Sequence, residues 1–211
     1  MKLLMFKNIS FIKLIKTFFD LLFAILFIIL FLPLYIIISI LILREDGFPI
    51  IFKQKRVGLG GKFFTIYKFR TMRKNTELEG DKYYCFEGDK RITNIGLFLR
   101  KYSLDEMPQF LNIIKMEMSF IGPRPAIYDE LDYENIHKDL VKIIKLRTKV
   151  KPGITGYSQV VSRNELNWND KLKLDNIYLS MNEKKRLIAD FIIIFYTIRE
   201  IFFSKGIFDK K

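Results

Sequence analysis

The stretch LLFAILFIILFLPLYIIISILIL, Leu21 to Leu43, runs for 23 residues without a charged side chain. A bilayer-spanning helix needs roughly 20 apolar residues, whereas a cleaved signal peptide has a shorter apolar core followed by a small-residue cleavage site. This run ends instead in Arg44-Glu45-Asp46, so it is expected to be retained as a membrane anchor. Pro33 stands near its centre, where it removes a backbone hydrogen bond and crowds the preceding turn, so a kink or break is expected there. Each half then has about 10–12 residues and spans roughly 15–18 Å, about half a bilayer. Two topologies are open: a re-entrant helix with both flanks on one side, and a kinked spanning helix. The basic flanks do not separate them. Lys2, Lys7, Lys13 and Lys16 precede the run, and Arg44, Lys53, Lys55 and Arg56 follow it.

The chain as a whole is basic and well supplied with apolar residues. Its 211 residues carry 36 Lys and Arg against 23 Asp and Glu, a formal charge of +13, and 50% are hydrophobic. That content excludes a disordered chain, and the length suits one domain or two. Eleven Gly and a single Cys exclude collagen-like and disulfide-stapled folds. Cys85 has no partner cysteine, which points to a reducing, cytoplasmic compartment for the part of the chain that follows the apolar run. The positive excess calls for anionic partners: phosphates, acidic lipid head groups or nucleic acid. A second apolar region, Leu187 to Phe203, is interrupted by Asp190, Arg199 and Glu200. It reads as an amphipathic helix lying on a membrane surface or against a core.

Beyond Arg44 the pattern predicts one α-rich α+β unit without repeats. Residues 1–45 are expected as the anchoring segment and residues 46–211 as the compact domain on which any chemistry would lie. Phe52 to Val57 and Lys62 to Phe69 are rich in aromatic and β-branched residues and are joined by Gly58-Leu59-Gly60-Gly61, so they predict a β-hairpin. Asn75 to Lys90 predicts a polar surface loop. Helices are expected over Ile95 to Lys101, about Asp105 to Lys115, and Ile136 to Lys149. Gly122-Pro123-Arg124-Pro125 and Lys151-Pro152-Gly153-Ile154-Thr155-Gly156 are expected as rigid turns.

Leu99-Arg100-Lys101-Tyr102-Ser103-Leu104-Asp105-Glu106-Met107-Pro108-Gln109 places two adjacent carboxylates at a predicted helix start, just after two cations. Its plain structural reading is a capping box, Ser103-x-x-Glu106, with acidic residues facing the helix dipole. Its chemical reading is a phosphoryl-transfer site. Arg100, Lys101 and Arg124 are suited to hold a phosphorylated substrate, and one carboxylate beside bound phosphate can serve as a nucleophile. The neighbouring carboxylate suits Mg²⁺, which is often held by one or two carboxylates plus phosphate oxygens. Lys68 and Arg70, set among aromatics in Ile66 to Met72, suit phosphate or nucleic acid, as do many basic strands near membranes. His137 reads as a solvated helix residue and Cys85 lacks a nearby histidine, so neither suggests acid–base, zinc or thiolate chemistry. No Gly-rich phosphate loop of the Walker or dinucleotide type is present.

The motifs together resemble the bacterial sugar transferases, the polyprenyl-phosphate phosphoglycosyl transferases that begin glycan assembly on a lipid carrier. The resemblance runs from Phe19-Asp20 to about Thr197. It rests on Phe52-Lys53-Gln54-Lys55-Arg56-Val57-Gly58, Tyr67-Lys68-Phe69-Arg70-Thr71-Met72, Arg91-Ile92-Thr93-Asn94-Ile95-Gly96, Leu99 to Gln109, Met118 to Pro125 and Lys151 to Gly156, in that order. Each motif is weak alone, and the ordered set is specific.

The resemblance implies a transferase moving a sugar-1-phosphate from a UDP-sugar to polyprenyl (undecaprenyl) phosphate with release of UMP. Asp105 would be the nucleophile that forms a phosphosugar–aspartyl intermediate, and Glu106 the Mg²⁺ ligand. Arg100 and Arg124 match arginines placed on phosphate groups, and Lys68, Arg70 and Gln159 complete the expected substrate-binding set. The apolar segment would be a re-entrant hairpin broken near Pro33. The domain would sit on the cytoplasmic face of a bacterial inner membrane, against acidic phospholipid, and start a capsule, exopolysaccharide or other glycoconjugate. The chain resembles the small monotopic form. Leu32 replaces the serine often found before the hairpin proline, and Ser162-Arg163-Asn164 stands where Gly-Arg-Asn is usual. A rival class, a non-catalytic basic membrane protein binding acidic lipid or a partner, explains the charge but not the ordered motifs. Nucleic-acid binding is disfavoured, since the cations are dispersed and no recognition motif is present.

Overall fold

A single residue, Phe31, separates helix α1 (Phe11–Leu30) from helix α2 (Leu32–Asp46), and the two bend by 61° at that point. The computed structural model describes residues 11–74, 88–126, 145–162 and 168–203. Among these, no single helix is long and apolar enough to cross a membrane, while the bent pair has the length and composition of a broken span or a re-entrant loop. The break falls two residues before Pro33, which occupies the first turn of α2. Proline has no N–H to return to the Ile29 carbonyl, and a helix start is where a missing N–H costs least.

Both helices pack back onto the same body. From α1, the Phe27 ring stacks on Phe110 with centroids 3.9 Å apart, and buried Asp20 accepts bonds from the Ser119 hydroxyl (2.7 Å) and the Phe120 amide (3.3 Å). From α2, Ile38 and Ile42 join Phe69, Leu99 and Met107 in one apolar cluster. Most of the remaining apolar side chains of the pair point outward, among them Phe18, Ile29, Leu30 and Ile37.

The expected hairpin is present as β1 (Ile51–Val57) and β2 (Phe63–Phe69), antiparallel with Ile51 opposite Phe69. A tight turn over Leu59–Gly61 joins them, with Gly60 and Gly61 at φ of +67° and +74°, a region that only glycine enters cheaply. Most of the predicted Asn75–Lys90 loop, with Cys85, lies outside the described residues. Helix α3 (Asn94–Lys101) begins as its sequence requires: the Thr93 hydroxyl accepts from the Gly96 amide at 2.9 Å. The Glu45 carboxylate, at the end of α2, adds a second cap on the Asn94 and Ile95 amides (2.7 and 2.9 Å).

Two expectations need correction. The predicted helix from about Asp105 to Lys115 is a 3₁₀ segment, Leu104–Gln109, followed by a short helix α4 (Phe110–Ile114). Pro108 has no N–H for the Leu104 carbonyl, so the chain takes the tighter winding there. The Lys151–Gly156 stretch, expected as a turn, supplies strand β4 (Gly153–Thr155), which runs parallel to β3 (Ser119–Ile121). Its glycines serve close approach: a Cβ on Gly153 would lie 2.1 Å from the Gly122 nitrogen, and one on Gly156 2.1 Å from the Gly122 oxygen. Of the predicted Ile136–Lys149 helix only the end, helical at 145–147, is described, and His137 is not.

Three further helices follow: α5 (Tyr157–Ser162), α6 (Trp168–Ser180) and α7 (Glu183–Phe203). Helix α7, the expected amphipathic element, turns Asp190 and Ile193 inward. Asp190 is buried and accepts from Lys16 Nζ of α1 (2.8 Å) and the Tyr178 hydroxyl (2.6 Å), while the Thr197 and Thr155 hydroxyls meet at 2.6 Å. Ile188, Phe191, Phe195 and Ile198 face outward.

Candidate active site

Asp105 and Glu106 lie on the 3₁₀ segment, which is held from three sides. Ser103 enters it in the left-handed region at φ 56°, with no side-chain cap. Met107 is buried in the cluster shared with α2, and the Tyr35 hydroxyl of α2 donates to its carbonyl at 2.5 Å. Strand β2 lies alongside and presents Lys68. The capping-box reading is therefore overturned. Glu106 does not reach back to its own helix start. Its Oε1 accepts from Lys68 Nζ at 2.7 Å and from Arg124 Nη1 and Nη2 at 3.3 and 3.2 Å.

Lys68 Nζ also stands 3.9 Å from Asp105 Oδ2, so one ammonium serves both carboxylates. Arg100, at the end of α3, is oriented by the Thr71 hydroxyl, to which its Nε donates at 2.9 Å, and its charge acts on Asp105. Burial raises the Asp105 carboxyl above the ordinary aspartate range, and the Glu106 charge adds to this, against the pull of Lys68, Arg100 and Arg124. Burial also works against ionisation of Glu106, but Lys68 and Arg124 outweigh it and hold that carboxyl down to about 2. Burial lowers Lys68, with both carboxylates opposing. The two neighbours thus differ in character: Glu106 is a firmly ionised, paired anion, and Asp105 is a carboxylate with no hydrogen-bond donor among the described residues.

Of the predicted site residues, the structure brings together Asp105, Glu106, Lys68, Arg100 and Arg124. It does not bring Arg70 or Gln159 to them. Arg70, just beyond β2, donates to the Asp46 and Gly47 carbonyls (2.9 and 2.7 Å) and pairs with the Asp46 carboxylate at 3.0 Å, fastening the end of α2 to the hairpin. Gln159 donates to the Ile154 carbonyl at 2.9 Å and closes the turn after β4.

Among the described residues, no group of three or more Asp, Glu, His or Cys converges as a metal site. A cation beside this pair would have two protein carboxylates and take its other ligands from elsewhere. The donor set fits Mg²⁺ on those terms, because both cations bound to Glu106 use Oε1 and leave Oε2 without a hydrogen bond among the described residues.

The profile of the bacterial sugar transferase family matches residues 11–204, and the chain belongs to that family. Among its relatives, a Bacillus subtilis (strain 168) protein named uncharacterized sugar transferase EpsL is 37% identical over 194 residues, 92% of this chain and 90% of that protein. The UDP-N-acetylgalactosamine-undecaprenyl-phosphate N-acetylgalactosaminephosphotransferase of Aeromonas hydrophila is 38% identical over 172 residues, 80% of this chain and 39% of that protein. The UDP-glucose:undecaprenyl-phosphate glucose-1-phosphate transferase of Escherichia coli (strain K12) is 34% identical over 198 residues, 92% of this chain and 41% of that protein. The chain spans about two fifths of the last two.

Proposed function

We propose that this chain is a phosphoglycosyl transferase that moves a sugar-1-phosphate from a UDP-sugar to polyprenyl phosphate at a membrane surface. The observation that carries the reading is the cluster itself: a carboxylate with no hydrogen bond among the described residues, Asp105, beside a paired one, Glu106, ringed by Lys68, Arg100 and Arg124. An Asp105 oxygen attacks the sugar-bearing phosphorus of the donor. The bond from that phosphorus to the bridging oxygen breaks, and UMP leaves with the electron pair. A phosphate oxygen of the polyprenyl acceptor then attacks the same phosphorus, the bond to Asp105 breaks, and the carboxylate returns. Phosphoryl transfer relies on positioning and charge stabilisation, which Arg100, Arg124 and Lys68 are suited to supply. Glu106, with Asp105 beside it, would hold Mg²⁺, whose charge would help neutralise the diphosphate.

The α1–α2 pair supports a re-entrant anchor. Asp20 of α1 bonds Ser119, and Glu45 of α2 caps α3, so residues on both flanks of the apolar run are tied to one body. That arrangement suits a single membrane face, with the outward apolar side chains of α1, α2 and α7 in lipid and the excess positive charge toward acidic head groups.

The test is UMP release by the membrane-purified chain, given a panel of UDP-sugars, Mg²⁺ and undecaprenyl phosphate, together with capture of a labelled phosphosugar adduct. Wild type should release UMP with one or a few donors and form the adduct without acceptor. Asp105→Asn should do neither, and an adduct on that variant would sink the nucleophile assignment.

A further inference from the structure

Four consecutive carbonyls, from Pro123 to Ala126, each accept a hydrogen bond from a donor fixed elsewhere in the fold. Gly153 N donates to Pro123 O (3.0 Å), Arg147 Nη2 to Arg124 O, Arg56 Nη1 to Pro125 O (2.9 Å), and Val57 N to Ala126 O (3.0 Å). The donors belong to β4, to the helical turn at 145–147, and to β1, so three separate parts of the chain grip one short segment. Both side-chain donors are buried and anchored. Arg147 Nε stands 3.0 Å from Asp175 Oδ2 on α6, and Asp175 is held in turn by Ser158. Arg56 Nη2 donates to Gln54 Oε1 at 2.6 Å. The Arg124 side chain, by contrast, is 41% exposed. A guanidinium that reaches Glu106 at 3.2 Å is thus mounted on a backbone whose carbonyls are held from residue 123 to residue 126.

We propose that Arg147, backed by Asp175, and Arg56 are positioning residues that fix the backbone of Arg124 and so aim its guanidinium at phosphate groups beside Asp105 and Glu106. The inference deepens the transferase reading and rests on it in taking Arg124 as a phosphate-holding group. A guanidinium suits the task at Arg147, because it donates to a carbonyl while its charge pairs with a carboxylate, which a lysine ammonium does with far less directional control. A buried ion pair such as Arg147–Asp175 is a poor device for stability alone, whereas displacing a substrate-binding group by about 1 Å can cost about 10²-fold in rate.

The test is a mutant cycle on the full chain in lipid nanodiscs, comparing Arg124→Met, the paired change Arg147→Met with Asp175→Leu, and all three substitutions together. The paired change removes both charges, so neither is left buried alone. Two quantities are read: kcat/KM for UMP release, and affinity for inorganic pyrophosphate by calorimetry. The paired change should lower both about tenfold or more. In the Arg124→Met background the further loss should be under about twofold, since residues acting through one group are not additive. Losses that multiply fully in protein with an unchanged melting temperature would overturn the inference. Should the paired variant fail to fold, Arg56→Gln tests the same dependence through the Pro125 carbonyl, and a multiplicative loss there overturns it equally. If wild type releases no UMP from any donor but binds pyrophosphate with this dependence, the transferase reading falls and the positioning role stands. If pyrophosphate does not bind, or binds regardless of Arg147 and Arg56, the positioning role falls.

Discussion

Lys68 Nζ lies 2.7 Å from Glu106 Oε1 and 3.9 Å from Asp105 Oδ2, so one strand residue arbitrates between two adjacent carboxylates. The closer pairing commits Glu106 to the ionised state. The longer one leaves Asp105 under an attractive field with no hydrogen bond among the described residues to occupy its lone pairs. A nucleophilic carboxylate needs that combination, since a lone pair already engaged by a donor is less available to phosphorus.

Replacing Lys68 by Met removes that charge while keeping most of its apolar stem. Arg124 remains on Glu106, so the segment should still fold, but UMP release should fall about 10²-fold, the scale for losing one charged stabiliser in a shielded site. A variant within a factor of two of wild type would show that Lys68 is merely structural.

The pH profile carries a sign. Asp105 must be ionised to attack, and burial raises its pKa above the ordinary value of 3.8, so kcat/KM should climb with pH along a limb lying above that value. Lys68 pulls the Asp105 pKa down, so Lys68→Met should move the limb to higher pH still. An acid limb at the ordinary aspartate position, or one displaced downward in the variant, contradicts this account.

Tyr35→Phe deletes the hydroxyl that donates to the Met107 carbonyl and nothing else. The expected loss is about 1 kcal/mol, a fall in melting temperature of about 2–4 °C, accompanied by lower turnover, because Met107 is two residues from Asp105. Thermal unfolding and UMP release measured on one preparation check both, and a variant with unchanged activity would uncouple α2 from the site.

Gly153→Ala forces a methyl to 2.1 Å from the Gly122 nitrogen, at the seam between β3 and β4. Overpacking of this kind costs about 1–3 kcal/mol, and Arg124, two residues past Gly122, should lose its alignment as the strands part. A melting temperature and kcat/KM equal to wild type would show that the seam relaxes freely.

The parts of this fold that were legible in the sequence depend on neighbours in the chain. An uncharged run broken by Pro33 and a hairpin centred on Gly60-Gly61 are local statements, and the structure repeats both. The Asp105–Glu106 pair could be located but not understood from spacing. Ser103 and Glu106 fit a capping box, yet the donors that win Glu106 lie 38 and 18 residues away, at Lys68 and Arg124. The family resemblance also puts Arg70 and Gln159 in the substrate-binding set. What diverts Arg70 is the end of α2, where the Asp46 carboxylate and two backbone carbonyls compete for it. The carbonyl grips of Arg56 and Arg147 leave no periodic trace at all, because a side chain donating to a distant backbone oxygen imposes no residue type on its acceptor.

The Tyr35–Met107 bond changes what the apolar segment is. A tether could be swapped for any other of similar length and greasiness without touching the chemistry it delivers. Here a tyrosine inside the segment donates to the Met107 carbonyl, two residues from Asp105, so on the proposed reading the segment would be part of the site's framework. Grafting a foreign anchor in front of residue 46 should therefore lower turnover even where attachment to the membrane is kept.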